Sequence, residues 1–93
     1  MSKKLTVKEQ HQLNIYNLCI AALDKHGEDA ADYLAGAISA AGTCDLIPRE
    51  EIPRLLRTIG SEAEGKEYIA SVNYSLMYVF GDVLLKVAPK DEK

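Results

Sequence analysis

Residues 66–87 read KEYIASVNYSLMYVFGDVLLKV, the longest stretch of the chain with a continuous apolar period. Tyr68, Ile69, Val72, Leu76, Val79, Phe80, Val83, Leu84 and Val87 recur at steps of one, three or four. That spacing lays them along one stripe of an α-helix. At ~1.5 Å per residue the segment makes a rod of roughly 33 Å, as long as a small domain is wide. A second apolar track, Tyr74, Met77, Tyr78, Gly81, Leu85 and Ala88, runs beside the first. A helix lying on the surface of a monomer shows one apolar stripe and one polar face. A helix that is apolar nearly all round is either wrapped by its own neighbours or meets another chain. If the second track is bare, its large side chains form a patch near the upper limit for a soluble monomer, a few hundred Å².

The rest of the chain reads as three shorter helices. Thr6 with Glu9 three residues on is a capping box, which starts a helix over about Val7–Lys25. Leu13, Tyr16, Ile20 and Leu23 form its main stripe, widened by Ile15, Leu18, Cys19 and Ala22, and Gly27 is its natural stop. Glu28, Asp29 and Asp32 then suit the positive end of a second helix, about Glu28–Ala41, stopped by Gly42. Its body is rich in Ala and Gly, with Leu34 and Ile38 as the larger groups, so a neighbour packs close. Pro53 is tolerated only in a first turn. The third helix therefore starts near Glu50 or Glu51 and ends at Ile59, with Ile52, Leu55, Leu56 and Ile59 inward and a Glu50–Arg54 pair outward. Ser61-Glu62-Ala63-Glu64 is a second capping box, which predicts one long helix over about Glu62–Ala88. No segment alternates with period two. The expected fold is all-α: a small four-helix bundle-like domain with a long C-terminal helix, residues 1–93 forming one domain with residues 1–5 and 89–93 as frayed tails.

Composition narrows the function. A net charge of −3, with basic residues scattered, disfavours a protein held to nucleic acid by phosphate neutralisation. No run approaches the ~20 apolar residues of a membrane span. The first dozen residues are polar, without a signal core. The expectation is a cytoplasmic protein with Cys19 and Cys44 as reduced thiols and no membrane association. His11, Cys19, His26 and Cys44 complete the inventory of His and Cys, with no metal-ligand spacing among them. Cys44 lies beside Asp45, which opposes thiolate formation. Asp29, Asp32 and Glu28 are explained by the start of a helix, and no glycine-rich phosphate loop occurs. We therefore expect no enzyme, no catalytic residue, no cofactor and no metal.

What remains is recognition of another protein. The chain reads as a regulator or inhibitor that acts by occupying a partner's surface, as a homodimer through Tyr74, Met77, Tyr78 and Leu85. Tyr and Met are enriched at such interfaces. Small phage or mobile-element proteins that modulate host machinery have this size and make-up, which is an analogy of scale. Two alternatives stand beside it. One is a structural or small-ligand-carrying subunit, with a pocket between helices. The other is a small helical DNA-binding regulator using the second helix, linker and third helix. Its reading helix would open Arg49-Glu50-Glu51-Ile52-Pro53, where two carboxylates and a proline are the wrong chemistry for base edges.

Overall fold

A computed structural model describes residues 4–87, and every described element is helical. The protein is all-α. Helix α1 spans Val7–His26, a 3₁₀ turn covers Gly27–Ala30, and α2 spans Ala31–Thr43. A second 3₁₀ turn, Arg49–Glu51, leads into α3, Ile52–Ile59. Helix α4 spans Gly65–Val79 and α5 spans Gly81–Val87. Met1–Lys3 and residues 88–93, including Ala88 and the expected C-terminal tail, lie outside the described residues. Of the expected N-terminal tail, Leu5 is half-buried and packs against the core.

The expected long C-terminal helix is two helices. The axis turns by 82° between α4 and α5. Phe80 sits at the corner, with its N–H donating to the Leu76 carbonyl and its own carbonyl accepting from the Leu84 N–H. Its ring is buried and meets Tyr16 of α1 edge to face, centroids 5.9 Å apart. The physical reason is economy of burial. A straight rod would carry Val83 and Leu84 past the end of the eight-residue α3 that packs beside α4. After the turn, Val83 is buried and Leu84 packs against the core. Glycine is a poor helix former, by about 1 kcal/mol against alanine, so Gly81 makes the corner an inexpensive place to break. Lys86 of α5 pairs with Glu9 of α1 and fixes the folded-back segment to the first turn. Four bundle helices are thus replaced by five. No single described helix is long and apolar enough to cross a membrane. Together α4 and α5 reach that length and composition, but they are sharply bent and bury Tyr68, Val72, Leu76, Phe80 and Val83 in the core.

Helix ends show where local chemistry decided and where packing did. The Thr6–Glu9 capping box forms, with the Glu9 N–H donating to the Thr6 hydroxyl at 3.0 Å and the Thr6 N–H to the Glu9 carboxylate at 3.0 Å. Gly27 ends α1 at φ 57°, ψ −134°, a conformation favourable only to glycine. Helix α2 begins after a 3₁₀ turn, three residues later than the carboxylates suggested, and runs through Gly42 to Thr43. Its stop is Asp45, at φ 61°. The Leu46 N–H bonds the Ala41 carbonyl and the Asp45 N–H bonds the Gly42 carbonyl, which is a Schellman motif with aspartate in the left-handed position. Gly42 is glycine for packing. A Cβ there would lie 2.5 Å from Ile52 Cδ1 of α3.

The second capping box does not form. Helix α4 starts at Gly65, and Glu64 ahead of it is extended with no side-chain cap. The Gly65 N–H is satisfied from across the fold, donating at 3.0 Å to Glu28 in the first 3₁₀ turn. Two backbone donors, Glu28's own N–H and that of Gly65, hold the Glu28 carboxyl below the usual carboxylate range. The outward ion pair of α3 is Glu51–Arg54 in place of Glu50–Arg54, because Glu50 and Glu51 precede α3 in 3₁₀ geometry. The core gathers Cys19 and Leu23 from α1, Leu34 and Ile38 from α2, Leu55 and Ile59 from α3, and the α4–α5 stripe. Tyr68 is buried with its hydroxyl donating to the Ile59 carbonyl at 2.6 Å, which ties the start of α4 to the end of α3.

Replacing Gly27 by alanine forces a side chain into a strained backbone region and should lower unfolding free energy by about 1–3 kcal/mol. Asp45→Gly should leave stability unchanged or raise it, since glycine relieves the same kind of strain. Chemical denaturation of both variants checks the pair. Equal losses would show that the two turns are not held by local backbone preference.

Candidate interaction surface

Helix α4 turns its first apolar stripe to the core and leaves the other side to solvent. Tyr74 is 72% exposed, Met77 49% and Tyr78 60%. Leu85 is 77% exposed but belongs to α5, beyond the 82° bend. The straight line on which spacing would join it to the tyrosines is therefore broken. The structure keeps Tyr74, Met77 and Tyr78 on one helix and moves Leu85 to another. Gly81, between them in sequence, is half-buried at the corner.

Helix α3 supplies the neighbours of this face. Tyr68 meets Ile59 at one end, and the Arg54 guanidinium lies 4.7 Å from the centre of the Tyr78 ring at the other. The two pairings run in opposite chain directions, so α3 and α4 are antiparallel. An arginine over an aromatic face at an exposed site contributes about 0.5–1 kcal/mol. The same guanidinium pairs with Glu51, so Tyr78 is held in place from α3. Between the helices lies a shallow notch of about 440 Å³, lined by Arg57, Thr58 and Ser61 of the α3 side and Ser71, Tyr74 and Ser75 of α4. Sequence reading placed Arg54 and Arg57 outward but did not bring them to the tyrosines. The signal was present in the five-residue link 60–64, since short links make neighbouring helices antiparallel.

A second concavity, about 520 Å³, opens between α1 and α2. It is lined by Leu18, Ala21, Ala22, Ala30 and Tyr33, together with Lys25, His26 and Asp29. Its volume falls within the range of small-molecule sites, which run from ~300 to ~1,000 Å³. It is an open, mostly apolar cleft whose polar lining is Lys25, His26 and Asp29.

Cys19 is buried, and desolvation pushes its thiol up to about 11. Cys44 is exposed at the end of α2. Both are free thiols. Among the described residues no group of three His, Cys, Asp or Glu is placed to hold a metal ion. Glu28 caps α4, and Asp29 and Asp32 flank the start of α2.

Comparison with known proteins finds no matching family model, no matching curated protein and no matching solved structure.

The two thiols should behave differently. In the native protein a neutral-pH thiol reagent should modify one cysteine per chain, Cys44, and Cys19 only after unfolding; peptide mass mapping distinguishes them. The folded Cys19 value of about 11 lies above the ordinary 9.0, so the folded state holds the proton longer. Stability should be intact below pH 9 and decline as the pH rises toward 11. The desolvated phenols of Tyr16 and Tyr68 are shifted in the same direction and add to the decline. Rapid native labelling of both thiols would contradict the buried placement of Cys19.

Proposed function

We propose that the protein is a non-enzymatic regulator or inhibitor that acts by binding another protein, a second copy of itself included, through the outer face of α4. The observation that carries this reading is the row Tyr74, Met77 and Tyr78, three large side chains exposed on one helix of a small domain. Removing such groups from water is the main source of association energy, at about 25 cal/mol per Å². Tyr, Met and Arg are the types enriched at protein interfaces, and Arg54 and Arg57 border the row. Tyrosine has two side-chain torsions to fix on binding, so it adds contact area at low entropic cost. The Arg54 contact already restrains Tyr78. Leu85 is a separate apolar contact on α5 that a partner wrapping the corner would reach. Two free thiols fit a reducing, cytoplasmic setting.

The cleft between α1 and α2 supports a second reading, a carrier of a small apolar ligand. It is the weaker one. The cleft is open on one side, and Tyr33 in its lining is half exposed. Ligand sites of that size generally bury most of the ligand surface.

A photo-crosslinking amino acid placed at position 74 or 78 in cells should give discrete adducts. The same group at the exposed Ser39 of α2 should give none. Adduct mass then separates self-association from a foreign partner. Equal, diffuse crosslinking at all three positions would end the reading of α4 as a recognition surface.

A further inference from the structure

We infer that the face built by α3 and α4 pairs with a second copy of itself across a two-fold axis, with the two α4 helices antiparallel. The inference rests on the reading of α4 as a recognition surface and names its occupant.

The geometry comes from one stripe of α4. Glu67, Ser71, Tyr74 and Tyr78 are spaced by four, three and four residues. They fall within about 30° of one line along the helix and span about 16 Å. Three of the four, Glu67, Tyr74 and Tyr78, are large and exposed, and Ser71 is a small exposed gap between them. Charge is arranged unequally along the line. The Tyr78 end carries Arg54 directly over the ring, and Arg57 follows in the notch beside Tyr74. The opposite end carries Glu67 in the first turn of α4, with Glu64 exposed just before it; Lys66, also exposed, lies about 100° round the helix from Glu67, off this line. Among the described residues Glu67 and Arg57 take part in no ion pair.

A face that is positive at one end, aromatic in the middle and negative at the other complements itself when turned end for end. A two-fold interface requires this property, because every contact between residues i and j occurs twice. An axis crossing α4 midway between Ser71 and Tyr74 sets each Glu67 against the Arg54–Tyr78 pair of the other copy. It also seats each Tyr74 in the gap over the other copy's Ser71. Met77 flanks the line and covers the seam. A foreign acidic partner would answer only the arginine end and leave Glu67 facing like charge. Nucleic acid would meet Glu64 and Glu67 as well, in a chain of net charge −3.

The test is a charge exchange read by sedimentation or light scattering across the micromolar range. The wild-type chain should be a dimer that weakens as salt rises. Arg54→Glu/Arg57→Glu puts carboxylates at both ends, and Glu67→Lys puts a cation where the other copy's Arg54–Tyr78 pair is met. Each variant alone should dimerise roughly tenfold more weakly or worse, because like charges then meet twice. An equimolar mixture of the two should recover dimer, as a heterodimer. Arg57→Glu alone leaves the Arg54 contacts with Glu51 and Tyr78 in place and should still weaken the dimer, which guards against loss through misfolding. Helicity by circular dichroism should be unchanged in all. A wild-type chain that stays monomeric overturns the inference, and crosslinks from position 78 to a foreign protein would then leave the recognition reading standing. A dimer indifferent to the charge changes overturns the antiparallel register alone. Failure of the mixture to recover dimer, with both variants folded and monomeric, does the same.

Discussion

The corner at Phe80 is the constraint on which the rest of this structure depends. The chain has a single phenylalanine, no tryptophan and a core made largely of aliphatic and small side chains. Its one Phe is spent at the junction of two helices, where its ring touches α1 through Tyr16. An edge-to-face aromatic pair adds ~0.5–1.5 kcal/mol beyond the area it buries. More important is what the corner makes possible. With α5 folded back, Val83 enters the core and Lys86 reaches Glu9 near the start of α1. The two ends of the described chain are thereby joined, and α1 is covered along more of its length. A domain of this size buries only about 60–65% of its unfolded surface. An apolar tail extended into solvent would lose burial that so small a domain can ill spare.

The same corner decides what is left outside. Helix α4 is apolar on two sides, and its neighbours cover one. Core burial of Tyr68, Val72 and Leu76 orients the helix, and that orientation turns Tyr74, Met77 and Tyr78 to solvent. Their exposure follows from the 3.6-residue repeat once the inner stripe is chosen. Straightening the helix would return Leu85 to their line, and bending separates it. The exposed face is consequently a property of α4 with α3, and α5 serves the core.

Much of this was legible in the sequence, and the parts that were not share a cause. All-α character, the extent of α1, the Thr6–Glu9 box, the Gly27 stop and the place of Pro53 in the first turn of α3 are local, set within a few residues by backbone and capping chemistry. The misread features are set by residues far apart in the chain. Ser61–Glu64 has the pattern of a capping box, yet α4 is capped by Glu28, thirty-seven residues away. Gly42 has the pattern of a stop, yet it is there to admit Ile52. The true stop, Asp45, carries a weaker signal because aspartate enters the left-handed region less readily than glycine. The break at Phe80 has a continuous apolar run across it, so periodicity alone passes through. Spacing set Tyr74, Met77 and Tyr78 beside the core stripe of α4, but left open whether neighbouring helices cover them. Their arginine border was not readable, because that needs the antiparallel placement of α3.

That placement explains why the face has polarity at all. The link 60–64 is short and carries Glu62 and Glu64, and Glu67 follows in the first turn of α4, where the positive end of the helix dipole favours a carboxylate. Helix α3 runs into this acidic link, and its outward arginines at positions 57 and 54 stand progressively farther back from it. Hairpin topology therefore separates the charges along one groove: carboxylates at the link end, guanidinium groups at the open end, tyrosines between. No single residue in the arrangement is unusual. Each has a local role, Glu67 at a helix start, Arg54 with Glu51, Tyr78 beneath Arg54. The self-complementary pattern arises only when an acidic turn joins two antiparallel helices, and it is a pattern that a copy of the same hairpin, turned end for end, satisfies with both signs of charge at once.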